Sequence, residues 1–138
     1  MYRKILAAYD GSDAGRRAFD AALNLSARHG AELVVVTVAQ PPIVGDEVET
    51  EAVIENSRNY HQGLLAELAP VIAETRVQAR YVVAVGHPAE QIIYHADQHG
   101  VDLIVVGDRG RSKLARLLLG SVSRHVVERA GRPVMVVR

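Results

Sequence analysis

Residues 32–39 read ELVVVTVA, apolar at almost every successive position rather than at every second one. A strand with one wet face alternates apolar and polar side chains; a strand buried on both faces does not. This stretch therefore belongs inside a parallel sheet covered by helices. Four more Val- and Ile-rich runs accompany it: KILAAY (4–9), VQARYVVAV (77–85), DLIVVG (102–107) and PVMVVR (133–138). Five strands are predicted.

Segments of helical periodicity lie between them. Ala14, Ala18, Ala22 and Leu25 form an apolar stripe, with Ser12 placed as an N-cap and Gly30 as a stop. Val53, Tyr60, Leu64, Leu68 and Val71 form a longer stripe, which Pro70 should kink or end. Pro88 suits the first turn of a third helix carrying Ala89, Ile92, Ile93 and Ala96. A fourth runs from Ser121 to Ala130 with Val122, Val126 and Ala130 inward. Strand and helix alternate to the end. The pattern predicts one α/β domain over residues 1–138, a doubly wound, Rossmann-like, five-stranded parallel sheet of order 3-2-1-4-5 with helices on both faces. The stretch QPPIVGDEVETE (40–51), with its prolines and carboxylates, reads as a solvated surface loop running into a polar helix start.

Composition narrows the function. Apolar residues make up 49% of 138, enough for a real core. Sixteen basic and sixteen acidic side chains cancel, so no global field draws the chain to nucleic acid or membrane. Cysteine is absent, which excludes disulfides, thiolate metal sites and cysteine nucleophiles. The apolar run in MYRKILAAYDGSD is too short for a signal peptide, and no stretch approaches a membrane span. A cytoplasmic domain is expected.

Ligands of such sheets bind beyond the carboxyl ends of the strands where strand order reverses, here between strands one and four. Strand one runs out in Tyr9-Asp10-Gly11-Ser12, and strand four opens into GDRGRSKLARLLLGSVS, residues 107–123. Gly107 and Gly110 would let backbone approach a ligand closely, a Cβ there taking up ligand space. Gly120-Ser121 opens the last helix, whose free N–H groups and positive dipole end attract anions. Ser121 and Ser123 add hydroxyl donors, and Arg109, Arg111, Lys113, Arg116 and Arg124 surround the lone acid Asp108. A phosphate-bearing ligand is the natural reading. The run matches neither a Walker loop nor the GxGxxG fingerprint, and strand two ends in Val38-Ala39-Gln40, without the acid that holds an NAD ribose.

The spacing G-x2-G-x9-G-[ST], filled by Gly107, Gly110, Gly120 and Ser121, resembles the ATP-binding signature of the universal stress protein family. KILAAYDGSDAGRRAFDAALNLSARHGAELVVVTV, the Gly86-His87-Pro88 junction, DLIVVGDRGRS and the closing RPVMVV resemble the family in order and spacing, so the likeness spans the chain. It implies ATP in the crevice, with Mg²⁺ arriving on the nucleotide and Asp10 its nearest protein ligand. It further implies Asp10 beside the nucleotide and backbone atoms of Val38 against the adenine. Gly107, Gly110 and Gly120 would line ribose and phosphates, with donors from Ser121, Val122 and Ser123. Two positions depart from the family pattern: Asp108 stands where a small neutral residue is common, and Lys113 where glycine is. The family also implies action through a protein partner and pairing of subunits. The last run, Pro133 to Val137, is an unguarded apolar sheet edge, suited to antiparallel pairing in a homodimer.

Other readings compete at several positions. Asp10 is either a ligand contact or a turn-forming acid bonded to its own backbone. Ser123 is either a phosphate donor or an ordinary first-turn serine. His95 and His99 lie one helical turn apart, a zinc-compatible spacing, but no third ligand accompanies them and no metal is expected. His29, His61 and His125 have no evident partners, and Tyr60 and Tyr94 read as core or rim aromatics. Without a strong base or nucleophile facing the phosphates, hydrolysis should be slow at most. The alternatives are a pyrophosphatase-like hydrolase, for which Gly11-Ser12-Asp13 is a poor loop, or an interaction module holding another adenine nucleotide such as cyclic AMP.

Overall fold

The computed structural model describes residues 2–41, 47–110 and 119–138. In chain order these form β1 (Lys4–Ala8), α1 (Asp13–His29), β2 (Glu32–Ala39), α2 (Glu47–Ala73), β3 (Ala79–Val85), α3 (Pro88–His99), β4 (Leu103–Gly107), α4 (Ser121–Arg129) and β5 (Val134–Val137). All four strand pairings are parallel, in the order β3-β2-β1-β4-β5. The predicted sheet, order and strand positions are all found.

The pleat sends alternate residues to opposite cores. Ile5, Ala7, Leu33, Val35, Leu103 and Val105 meet α1 and α2 on one face. Leu6, Val34, Val36, Ile104 and Val106 meet α3 and α4 on the other. Leu33 to Val36 are all fully buried, which is why ELVVVTVA shows no alternation.

Helix ends follow local chemistry. The Ser12 hydroxyl accepts from Gly15 N–H at 3.0 Å and caps α1, and Gly30 closes it at φ 67°. Pro88 occupies the first turn of α3. The second helix extends beyond its apolar stripe at both ends. It begins at Glu47, inside the stretch read as loop, because glutamates favour helix and suit a helix's positive start; residues 42–46 of that stretch lie outside the described residues. It ends at Ala73, three residues past Pro70 and so within one turn of the residue expected to kink or end it.

Of its predicted stripe, Leu64 and Leu68 are buried, joined by Leu65 and Ile72, but Val53 is 47% and Tyr60 50% exposed. Length explains this. The helix has 27 residues, about 40 Å at 1.5 Å each, whereas the eight-residue β2 spans about 26 Å. The first half of α2 outruns the sheet it would cover.

Candidate functional site

Strand order reverses between β1 and β4. The segment leaving β1 turns into α1 on one face, and the segment leaving β4 leads to α4 on the other. In sheets of this kind that parting is where a ligand crevice forms.

On the β1 side, Asp10 Oδ1 accepts from the Ser12 N–H at 2.9 Å and from the Ser12 hydroxyl. The turn-forming role considered for Asp10 is thus seen directly. Its Oδ2 faces the glycine loop, 3.1 Å from where a Cβ on Gly110 would stand. The carboxylate therefore fastens the turn with one oxygen and approaches the loop with the other.

On the β4 side the glycines have reasons the sequence did not disclose. A Cβ on Gly107 would fall 2.8 Å from the carbonyl carbon and oxygen of Ala14 and 3.0 Å from its Cβ. Gly107 is needed because the first turn of α1 lies against the end of β4, a packing reason rather than ligand room. Gly15 is its counterpart: a Cβ there would stand 2.7 Å from Asp10 Oδ1. Sequence reasoning missed Gly15, although a glycine inside a helical stripe is a signal of close approach.

The loop is drawn together by the main chain of Asp108. Its N–H donates to Val137 O at 2.9 Å, and its carbonyl accepts from Gly120 N–H at 2.7 Å and from the Ser123 hydroxyl at 3.1 Å. A Cβ on Gly120 would lie 3.0 Å from the Cα of Arg109, so residues 108–110 and 120 are in contact. Arg111, Lys113 and Arg116, counted among the basic residues of this loop, lie outside the described residues.

Gly120 caps α4 without a side chain, at φ −61° and ψ 161°. The helical ladder starts with Arg124 N–H to Gly120 O at 3.0 Å. The N–H groups of Ser121, Val122 and Ser123 are therefore left without intrahelical acceptors at the positive end of the helix dipole. Ser121 is exposed and Val122 packs into the core beneath α4, alongside Val38 at the end of β2. Ser123 differs from its sequence reading as a hydroxyl donor. It is 3% exposed, and its hydroxyl lies 3.1 Å from Asp108 O and 3.0 Å from Gly120 O. That hydroxyl ties the loop; the residue's free donor is its main-chain N–H.

Several histidines acquire partners. His125 stands with its ring 5.4 Å from that of His87, at the start of α3. His29 meets Tyr2 edge-on at 5.3 Å, and a His61 ring nitrogen lies 2.8 Å from Ser57 O. His95 and His99 are 6.1 Å apart, and burial, with His99 second, holds His95 below the usual imidazole range. Among the described residues no three His, Cys, Asp or Glu converge as metal ligands. Tyr94, like Tyr60, is a surface residue rather than a core one. At the amino end of the sheet, a groove lined by residues including Arg3, Ser26, Glu74 and Arg76 shares no residue with the crevice. Among the described residues no helix is long and apolar enough to cross a membrane.

Comparison with known proteins places this geometry. The model of the universal stress protein family matches residues 1–138. Universal stress protein YxiE of Bacillus subtilis (strain 168) is 40% identical, the alignment covering the whole of both chains. The solved universal stress protein UspA from Lactobacillus plantarum is 28% identical with a TM-score of 0.90, over 99% of this chain and 98% of that one. A universal stress protein solved in complex with cAMP is 27% identical with a TM-score of 0.66, over 99% and 96% respectively.

Proposed function

The chain belongs to the universal stress protein family, and from that premise we propose that it is an ATP-binding module of the cytoplasmic stress response. The observation that carries the reading is the uncapped start of α4, tied over the β1/β4 crevice by Asp108, Gly120 and Ser123. Three free N–H groups and the exposed Ser121 hydroxyl form an anion-binding end. The phosphates bind there. The ribose lies along Gly110 beside Asp10, with Gly107 holding the end of β4 against α1, and the adenine reaches the backbone of Val38. The solved relative holding cAMP supports an adenine nucleotide in this family.

The module acts by holding nucleotide and engaging a protein partner, and it pairs with a second copy through Pro133 to Val137. Val134, Met135, Val136 and Val137 are each half-buried at the sheet edge, supporting that surface. Phosphoryl transfer needs a positioned water and charge stabilisation. Asp10 Oδ1 is occupied by Ser12 and no base–nucleophile pair is formed at the crevice among the described residues, so hydrolysis is slow.

Mass spectrometry of nucleotide retained by the purified protein is the test, with calorimetry of ATP binding. ATP is the expected ligand. Retained cyclic AMP would instead favour the reading in which another adenine nucleotide fills the crevice, and release of AMP with pyrophosphate would favour a hydrolase. Ser121→Ala should weaken ATP binding by about 1.5–3 kcal/mol, the worth of a hydrogen bond to a charged group. Unchanged affinity would remove Ser121 from the site.

A further inference from the structure

Gly15 stands in the first turn of α1, where glycine is a poorer helix former than alanine. Its use is visible at Asp10. A Cβ on Gly15 would stand 2.7 Å from Asp10 Oδ1, 3.2 Å from the Ser12 hydroxyl oxygen and 3.4 Å from the Asp10 main-chain nitrogen. The carboxylate thus occupies space that a side chain at position 15 would take. Ser12 completes the seat: its N–H and hydroxyl both donate to Oδ1, and its hydroxyl oxygen accepts from the Gly15 N–H at 3.0 Å. With Oδ1 held against α1, Oδ2 reaches to 3.1 Å from where a Cβ on Gly110 would stand, on the β4 side. Asp10 is half-buried and Gly110 exposed, so this junction is not sealed in the core.

An ionised carboxylate is an acceptor only, and its bonds to hydroxyl donors are short and strong. A ribose carries two such hydroxyls. Alanine at position 15 would displace Oδ1, a side-chain atom that turns more readily than a capped helix moves, and Oδ2 would turn with it. Resting on the nucleotide reading above, we propose that Gly15 is a positioning residue: by leaving room for Oδ1 it directs Oδ2 of Asp10 to the ribose hydroxyls, and so makes the crevice prefer ribonucleotides to nucleotides without those hydroxyls.

The test is calorimetry of ATP and of 2′,3′-dideoxy-ATP binding to the full chain, for the wild type, Gly15→Ala, Asp10→Ala and the double variant. The wild type should bind ATP about tenfold or more tighter than dideoxy-ATP, the effect of a hydrogen bond to a charged group. Gly15→Ala should lose most of that preference by weakening ATP alone, with dideoxy-ATP affinity unchanged. Added to Asp10→Ala it should cost no further preference, since both act through one carboxylate. Each comparison is a ratio of two ligands on one protein, so a variant that melts earlier but stays folded is still readable. A Gly15→Ala chain that unfolds while the double variant folds would support the same contact, and unfolding in both backgrounds would overturn it, the Cβ then meeting something other than Asp10. Equal losses of ATP and dideoxy-ATP in Gly15→Ala would mark a structural effect only and overturn the positioning role. A wild type that binds both nucleotides alike would overturn it too and leave the nucleotide site standing. No binding of either nucleotide would bring down the nucleotide reading and this inference with it.

Discussion

Replacing Gly107 by alanine should damage the fold before it damages any ligand contact. The added Cβ would meet the carbonyl carbon and oxygen of Ala14 at 2.8 Å and its Cβ at 3.0 Å. These are backbone atoms of the first turn of α1, and that turn is anchored by the Ser12 cap and the Asp10–Ser12 bonds. It must move by roughly half an ångström, with strain passed to a close-packed interface. Overpacking of this kind destabilises by about 1–3 kcal/mol, which for a domain of this length lowers Tm by roughly 3–15 °C.

Gly110→Ala is the matched control. Its Cβ would meet only Asp10 Oδ2, at 3.1 Å. A side-chain oxygen can give by a few tenths of an ångström, so Tm should fall by less than half as much. Thermal unfolding followed by circular dichroism, without nucleotide, measures both variants free of ligand stabilisation. A Gly107→Ala protein that melts with the wild type, while Gly110→Ala melts lower, would refute the packing account of Gly107.

Three further outcomes are expected. Ser12→Ala removes the α1 cap and a partner of Asp10, and should cost about 0.5–2 kcal/mol in urea denaturation. The N–H groups of Arg3 and Lys4, at 2.6 and 2.9 Å, hold the Asp102 carboxyl below its ordinary range. Because the folded value is the lower one, this stabilisation is complete above the unfolded value, about 4, and fades as pH falls through the folded value; the acid limb of Tm against pH should be flatter in Asp102→Asn. The carbonyls of Pro133 and Val137 turn toward β4, so Val136, of the opposite alternation, presents its N–H outward; Val136→Pro removes that outer donor, and light scattering should show a mass near 15.0 kDa where the unmodified protein shows twice that.

The sheet was legible because burial on both faces leaves a mark that composition alone carries: consecutive valines in β2 and β4, punctuated by Gly30, Pro88 and Gly100 at helix ends. The second helix was less so. Periodicity identifies an apolar stripe but not how far the neighbouring sheet extends, so Val53 and Tyr60 looked like core and stand at the surface. Pro70 marked the end of the helix to within one turn. The switch point between β1 and β4 followed from the alternation of strand and helix. The bonds that shape it did not, since the N–H and carbonyl of Asp108 are identical in every residue type and leave no side-chain signature.

That distinction changes what the glycine spacing means. If Gly107 and Gly120 were there only to admit a ligand, the empty loop would be free to spread and would have to be ordered on binding. Instead Gly107 lets β4 touch Ala14, and Gly120 touches Arg109 while bonding to Asp108. The loop ends close on protein, and these contacts hold the start of α4 in place. Donors fixed beforehand lose little freedom when an anion arrives. On the nucleotide reading proposed above, the spacing marks donors set in place by protein contacts rather than a list of ligand contacts. Binding lost on substituting Gly107 says nothing about ligand contact until the stability of the same variant has been measured, whereas binding lost at the exposed Ser121, with the fold intact, does.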